Sequence, residues 1–328
     1  MRWRAFGAVL IGGVLLLGIL QRPPDGDPFD VAAGRALALD RLPASDIVAI
    51  KLRHALAHPP YEIGLFGNSR SVEVTSAHLG LAPGRFFNFS VGGMSIRQSI
   101  ASLEELAAAD KAPRVALISF DNAITQFYAN PDYPAGPARW RLAVHDIYAG
   151  ARDPAVSRSE WLRMGWRHTV TEWNQFKQLF SIQVLRARLR PDGPTTYERD
   201  GARPGGVAPA AAPALLSPQP PSVLAGYIKI DLARLAVLQA RGIRIVIYES
   251  PIYPAQRQLE ASASDGAARA VRTALLQNCR ALGLTCHLAP AIGEPGKPPF
   301  WSEASHPPPG PLGAWLRQRL VEIGAADR

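Results

Sequence analysis

The chain has 328 residues, 47% of them hydrophobic, which is enough for one large α/β domain or two smaller ones with a sizeable core. Its formal charge of +9 is almost wholly arginine, since lysine supplies five of the 36 basic residues. The arginines are scattered and no aromatic-basic stripe accompanies them, which argues against nucleic-acid binding.

Met1-Arg2-Trp3-Arg4 precedes an uncharged run from Ala5 to Leu20, closed by Gln21-Arg22-Pro23-Pro24. Sixteen helical residues span roughly 24 Å, a little short of a ~30 Å hydrocarbon core. Trp3 at the interface and a thinner local bilayer make up the difference. A cleaved signal peptide is the alternative, with Val31-Ala32-Ala33 as a remote small-x-small site. The preferred expectation is an uncleaved signal anchor over residues 1–22. Arg2 and Arg4 hold its N-terminus in the cytoplasm, and residues 5–20 cross a bacterial inner membrane once. The rest of the chain is then periplasmic, and a basic exported protein suits anionic lipid or an acidic polymer.

Residues 23–60 read as a polar juxtamembrane segment with a helix near Ser45–His58. An α/β pattern follows over 61–328. Short runs at Ile63–Phe66, Phe86–Phe89, Val115–Phe120, Ile243–Tyr248 and Leu284–Leu288 are rich in branched and aromatic residues, as buried parallel strands are. Helical spacing fits Ile96–Ala109, Val223–Ala240, Ala267–Leu282 and Leu312–Ile323, and Gly242 and Gly283 stop two of these helices just before strands. The alternation predicts a three-layer, doubly wound, parallel five-stranded sheet.

The pattern is interrupted at about 121–221, where four of the seven tryptophans fall: Trp140, Trp161, Trp166 and Trp173. A long helix over Ser159–Leu189 is expected, then a Pro/Ala/Gly-rich tract from Pro191 to Pro221 that can bury little. This helical insertion leaves the carboxyl end of the third strand, where such sheets bind ligands. It reads either as a lid or docking element or as a cap shielding the side of the sheet. Cys279 and Cys286 flank a helix end and the next strand, and they read equally as a local disulfide or as two half-buried thiols. His54, His58, His78, His145, His168 and His287 show no metal-ligand spacing with nearby cysteine or carboxylate, so no metal or cofactor is expected.

The chemistry-bearing motif is Gly67-Asn68-Ser69-Arg70 at the end of the first strand. A helix is expected to start there, its free N–H groups ready to hold an oxyanion. The C-terminal partner is Glu303-Ala304-Ser305-His306, an acid three residues before a histidine. Serine needs a base to accept its proton, and the base needs an orienting carboxylate. Arg70 is read as a structural partner of Asp121 or Glu249, with contact to an anionic substrate as the other use.

These blocks resemble the SGNH (GDSL-like) hydrolase and acyltransferase superfamily, from about Tyr61 to the C-terminus. Gly67-Asn68-Ser69 resembles its nucleophile turn, Asn88-Phe89-Ser90-Val91-Gly92-Gly93 its Asn-x-x-x-x-Gly block, and Glu303-x-x-His306 its terminal Asp-x-x-His. The third block departs: Ser119-Phe120-Asp121-Asn122 lacks the glycine of Gly-x-Asn-Asp and sets Asn122 one position early. The turn Gly-Asn-Ser-Arg, Tyr197–Gly201 and the strand end Tyr248–Pro254 look like a divergent membrane-anchored branch resembling polysaccharide O-acetylation proteins. The resemblance implies a flavodoxin-like SGNH fold. It also implies Ser69 as nucleophile, His306 as base and Glu303 as its orienting group, with backbone donors at Ser69 and Gly93 and the Asn122 side chain forming the oxyanion hole. The implied activity is a serine esterase or O-acyltransferase on a cell-envelope or exported polysaccharide. It would take an acylated carbohydrate or acyl donor and work beside a membrane-bound O-acyltransferase. The alternative is a non-catalytic scaffold of the same fold that binds a polymer or that membrane partner.

Overall fold

The structure is a computed structural model describing residues 24–29, 37–121, 151, 157–159, 161–162, 165–166, 169–170, 182–191, 197–203, 221–251, 267–288 and 306–326. The apolar run 5–20, Asn122, Glu303 and most of the insertion lie outside these residues. No helix among the described residues is long and apolar enough to cross a membrane.

In chain order the helices and strands are α1 (Ala44–Ala57), β1 (Ile63–Phe66), β2 (Phe86–Asn88), α2 (Ile96–Ala108), β3 (Val115–Ser119), α3 (Ile182–Leu189), α4 (Pro221–Ala240), β4 (Arg244–Tyr248), α5 (Ala267–Ala281), β5 (Thr285–His287) and α6 (Pro309–Glu322). Every strand pairing is parallel and the sheet order is β2-β1-β3-β4-β5. Order reverses between β1 and β3, so their carboxyl ends flank a topological switch point, the place where open α/β sheets bind ligands. Ser69 follows β1 and Asp121 follows β3. The expected strands are all present: β1 matches its run and the other four are shorter than theirs by one or two residues.

The strands are apolar on both faces, yet their two-residue period still sorts the core. Phe66, Ala116, Ile118, Ile245 and Ile247 face one layer with helical residues such as Ile50, Leu103, Leu235 and Leu275, from α1, α2, α4 and α5. Ile63, Leu65, Leu117, Val246 and Tyr248 face the other, covered by Leu312, Leu316 and Leu320 of α6 and by Leu79 in a 3-10 turn at Ala77–Leu79. Gly313 lets α6 close on that turn, since a Cβ there would stand 2.5 Å from His78 Cβ.

The 23–60 segment is more than a polar tether. Phe29, Leu37, Leu42, Val48, Ile50 and Leu52 are buried in the first layer, so α1 belongs to the α/β domain itself. Residues 182–191 and 197–203 of the insertion pack against α1 and the β2 edge. Asp200 O accepts from Asn88 N at 2.6 Å along the β2 edge, which is thereby covered. Arg188 of α3 forks onto the buried Asp46 of α1 with both bonds at 2.8 Å. Only Ile182–Leu189 of the expected long helix is described as a continuous element, and Trp140 and Trp173 lie outside the described residues. Cys279 and Cys286 form a disulfide, Cα–Cα 6.3 Å, joining α5 to the edge strand β5.

Candidate active site

The turn after β1 is built by packing that only glycine and a short polar side chain tolerate. A Cβ on Gly67 would lie 2.7 Å from Ser71 Oγ and 2.9 Å from Ser119 Cβ. Asn68 is buried, and its Oδ1 accepts from Arg70 N at 2.9 Å while its carbonyl accepts from Ser71 N at 3.0 Å. Ser69 is thus held at the crest of an Asx-type turn, half exposed to solvent.

No α-helix begins there, and this corrects the expectation. Residues 69–73 are turn, and the carbonyls that a helix would pair internally go elsewhere. The Asn88 side-chain amide donates to Ser71 O and Val74 O at 2.9 Å, and to Val72 O at 3.3 Å. The asparagine of the second block is therefore a staple for the chain after Ser69. Its own Oδ1 accepts from Ser90 N at 2.8 Å, starting the loop that carries the glycine pair.

That loop lies against the Ser69 turn, with Val91 N donating to Gly67 O at 3.2 Å. Gly93 has φ +76, a left-handed conformation that favours glycine, and its Cβ position faces open space. Neither Ser69 N nor Gly93 N is paired with a backbone carbonyl among the described residues.

Beneath the loop sits Lys51 of α1, buried and donating to Asn88 O at 2.8 Å and to Ser90 O and Gly201 O at 2.7 Å. Its Nζ also lies 4.9 Å from the centre of the Tyr197 ring. Burial pushes its pKa well below the ordinary lysine value, with Asp200 opposing. Three acceptors match the three N–H groups of an ammonium, so the geometry holds the charged form.

His306 meets Ser69 from the other end of the chain: Nε2 lies 2.9 Å from Ser69 Oγ. Pro307 and Pro308 extend the backbone into α6, whose Pro309 and Pro311 suit a first helical turn. Burial first, then the neighbouring Arg70 cation, push the imidazole down to about 4, with Asp121 opposing. At neutral pH the ring is therefore uncharged, able to accept the serine proton on Nε2.

Asp121 closes the floor of the switch point. Its Oδ2 accepts from Ser119 Oγ at 2.6 Å and Ser250 Oγ at 2.7 Å, and its Oδ1 accepts from Ser250 N. Arg70 lies 4.0 Å from Oδ1, so its expected pairing is with Asp121, while Glu249 pairs with Arg272 at 2.7 Å. Tyr248 OH bonds Ser71 Oγ at 2.7 Å, and burial and Asp121 raise its pKa, keeping the phenol neutral. Lys51 is the residue here that motif reading did not name; Asn88 was read only as the head of the second block, and Asp121 only as a partner for Arg70, not as the acceptor of the Ser119 and Ser250 hydroxyls. An acid directly after a fully buried strand was the available signal for Asp121.

The site thus joins Ser69 to His306 and sets the Gly93 loop beside them, with Arg70 against Asp121. Glu303 and Asn122 fall outside the described residues. Away from the sheet's carboxyl end, Asp27, His54 and His58 converge on one another. No family model, curated protein or solved structure matches the chain, so functional inference rests on its own residues.

Proposed function

We propose that the protein is a serine acyl-transfer enzyme of SGNH type, an esterase or O-acyltransferase, with Ser69 as nucleophile and His306 as general base. One observation carries this reading: a hydroxyl and an imidazole 237 residues apart in sequence meet at 2.9 Å at the switch point. Serine–imidazole pairs at that distance are the unit of nucleophilic acyl transfer.

In the proposed reaction Nε2 takes the Ser69 proton as Oγ attacks the acyl carbonyl. The tetrahedral oxyanion is met by the N–H groups of Ser69 and Gly93, each worth about 3 kcal/mol where well aimed. His306 returns the proton to the departing alcohol, leaving an acyl-serine. Water or a second hydroxyl, deprotonated by the same imidazole, then releases the acyl group. Glu303 is proposed to orient His306, and Asn122 to supply the third donor. A membrane-anchored, periplasm-facing enzyme acting on an envelope or exported polysaccharide beside a membrane-bound acyltransferase is the setting we propose. The apolar 5–20 run and the resemblance support it.

Turnover of aryl acetate or acetylated sugar, with and without a carbohydrate acceptor, tests the assignment. Ser69→Ala and His306→Ala should each abolish most activity, and the double variant should be scarcely worse than either, since residues acting in one step are non-additive. A fluorophosphonate should label wild type and spare Ser69→Ala. Full activity in Ser69→Ala would overturn the proposal.

A non-catalytic scaffold is the second reading, favoured by one feature. Two residues after β3 stands Asp121, an acceptor already engaged by Ser119 and Ser250. Absence of labelling and of turnover with every acyl donor would favour it.

A further inference from the structure

The convergence of Asp27, His54 and His58 lies near the amino end of β1, since Tyr61, which touches it, precedes the strand that Ser69 follows. We propose that these three side chains form a binding site for a divalent transition-metal ion of the zinc class, independent of the acyl-transfer reading. Each offers one ligand atom, and the three atoms lie within 4.8 Å of one another. His54 and His58 are one helical turn apart, their ring centres 4.1 Å from each other.

The distances bracket what a metal would impose. Asp27 Oδ2 is 2.7 Å from His54 Nδ1 and 4.0 Å from His58 Nε2. A tetrahedral ion with ligands at about 2.0–2.1 Å spaces them roughly 3.3 Å apart. The first contact would have to open and the second to close by well under ~1 Å, and the two imidazole nitrogens, within 4.8 Å of each other, would settle to the same spacing. Two imidazoles and one carboxylate suit zinc, cobalt, nickel or copper rather than calcium or magnesium. Three protein ligands leave a fourth position for water, and His58, with 34% of its side chain exposed, opens that side to solvent.

The surroundings already hold the ligands in place. Asp27 Oδ1 accepts from Phe29 N at 3.0 Å, which leaves Oδ2 aimed at the histidines. Arg53 donates to Pro24 O at 2.7 Å and Gly26 O at 2.8 Å, pinning the same segment on α1. Tyr61 OH lies 2.7 Å from His54 Nε2. Beside the acceptor-only Asp27 carboxylate, a neutral His54 carries its proton on Nδ1. Once a metal takes Nδ1, the proton sits on Nε2 and is donated to the Tyr61 oxygen, with no net proton released. Metal-bound histidines characteristically have such a partner on the second nitrogen. The bound ion would staple residues 24–29, the continuation of the apolar N-terminal run, to α1.

Cobalt(II) titration of the full-length chain, untagged and stripped with chelator, is the test. One visible-absorbing Co2+ per chain should bind, and Zn2+ should displace it and raise the unfolding temperature. His58→Ala and Asp27→Asn should each weaken Co2+ binding at least ~10-fold, and Tyr61→Phe about 10-fold through the lost partner of His54. His58 is at the solvent side of a helix end, so His58→Ala should keep the wild-type circular dichroism spectrum. Failure of Co2+ to saturate a single site, or binding unchanged in a folded His58→Ala, would overturn the site.

Discussion

If Ser69 is the nucleophile we propose, its reactivity at a given pH depends on the charge of the imidazole opposite it. A folded-state value of about 4 means that His306 protonates only in acid, with burial the larger cause and Arg70 the second. In the proposed role His306 must be neutral to take the serine proton, so kcat/KM should be flat near neutrality and fall on an acid limb near pH 4 instead of near 6.5. Arg70→Gln removes a cation that disfavours the protonated ring. The limb should then move upward, though burial keeps it below the ordinary histidine value. A pH profile of aryl-acetate hydrolysis for both proteins checks this; a limb at 6.5 that ignores Arg70 would detach the base from its environment. Motif reading anticipated that Ser69 and His306 meet and that Arg70 faces Asp121, because each stands next to a strand end or in a short block. It did not anticipate that Asn88 would capture the carbonyls of Ser71 and Val74. Side-chain capture of backbone leaves no periodicity to read.

Elements were legible for a related reason. Parallel strands buried on both faces are continuous runs of branched and aromatic residues, and β1 coincides with the run Ile63–Phe66. The amphipathic helices α2 and α5 likewise follow their spacing, and Ser95 and Gln98 form a capping box at the start of α2. The expected helix after Ser69 failed because a favourable helix start is local, whereas the bonds that win there are made to β2. Lys51 shows the same thing from the helix side: a lysine on α1 reads as solvated, yet it reaches three carbonyls of two other segments. Lys51→Met should leave Asn88 O, Ser90 O and Gly201 O without their donor. At about 1–3 kcal/mol for each buried group left unpaired, the loss should be at least ~3 kcal/mol in denaturant unfolding. Activity should fall more than stability explains, since Asn88 and Ser90 lead into the Gly93 loop. A variant of unchanged stability would mean that water or a shifted loop replaces the ammonium.

Across the whole molecule, the boundary of the folded unit is where sequence and structure part most. Residues 23–60 look polar because α1 interleaves Asp46, Lys51, Arg53 and His54 with its apolar positions. In the structure, Asp46 meets Arg188 and Lys51 meets backbone, so charge is buried with partners and the helix still closes one layer of the core. The insertion, the β2 edge and the N-terminal segment therefore converge on α1. The consequence is testable by where the chain is begun. Apolar side chains from Phe29 to Ala55 occupy the same core cluster as Phe87 and Phe89. Burying each contributes about 1.5–3 kcal/mol, so even half of them approach the ~5–15 kcal/mol that a domain retains in total. A chain beginning at Pro24 should unfold in one cooperative step in urea, with the near-ultraviolet signal of packed aromatics. One beginning at Pro60 keeps every strand but exposes Phe87, Tyr197 and the carbonyls held by Lys51, and it should show no cooperative transition. Cooperative unfolding of the shorter chain, with a midpoint near that of the longer one, would return α1 to the role of a tether.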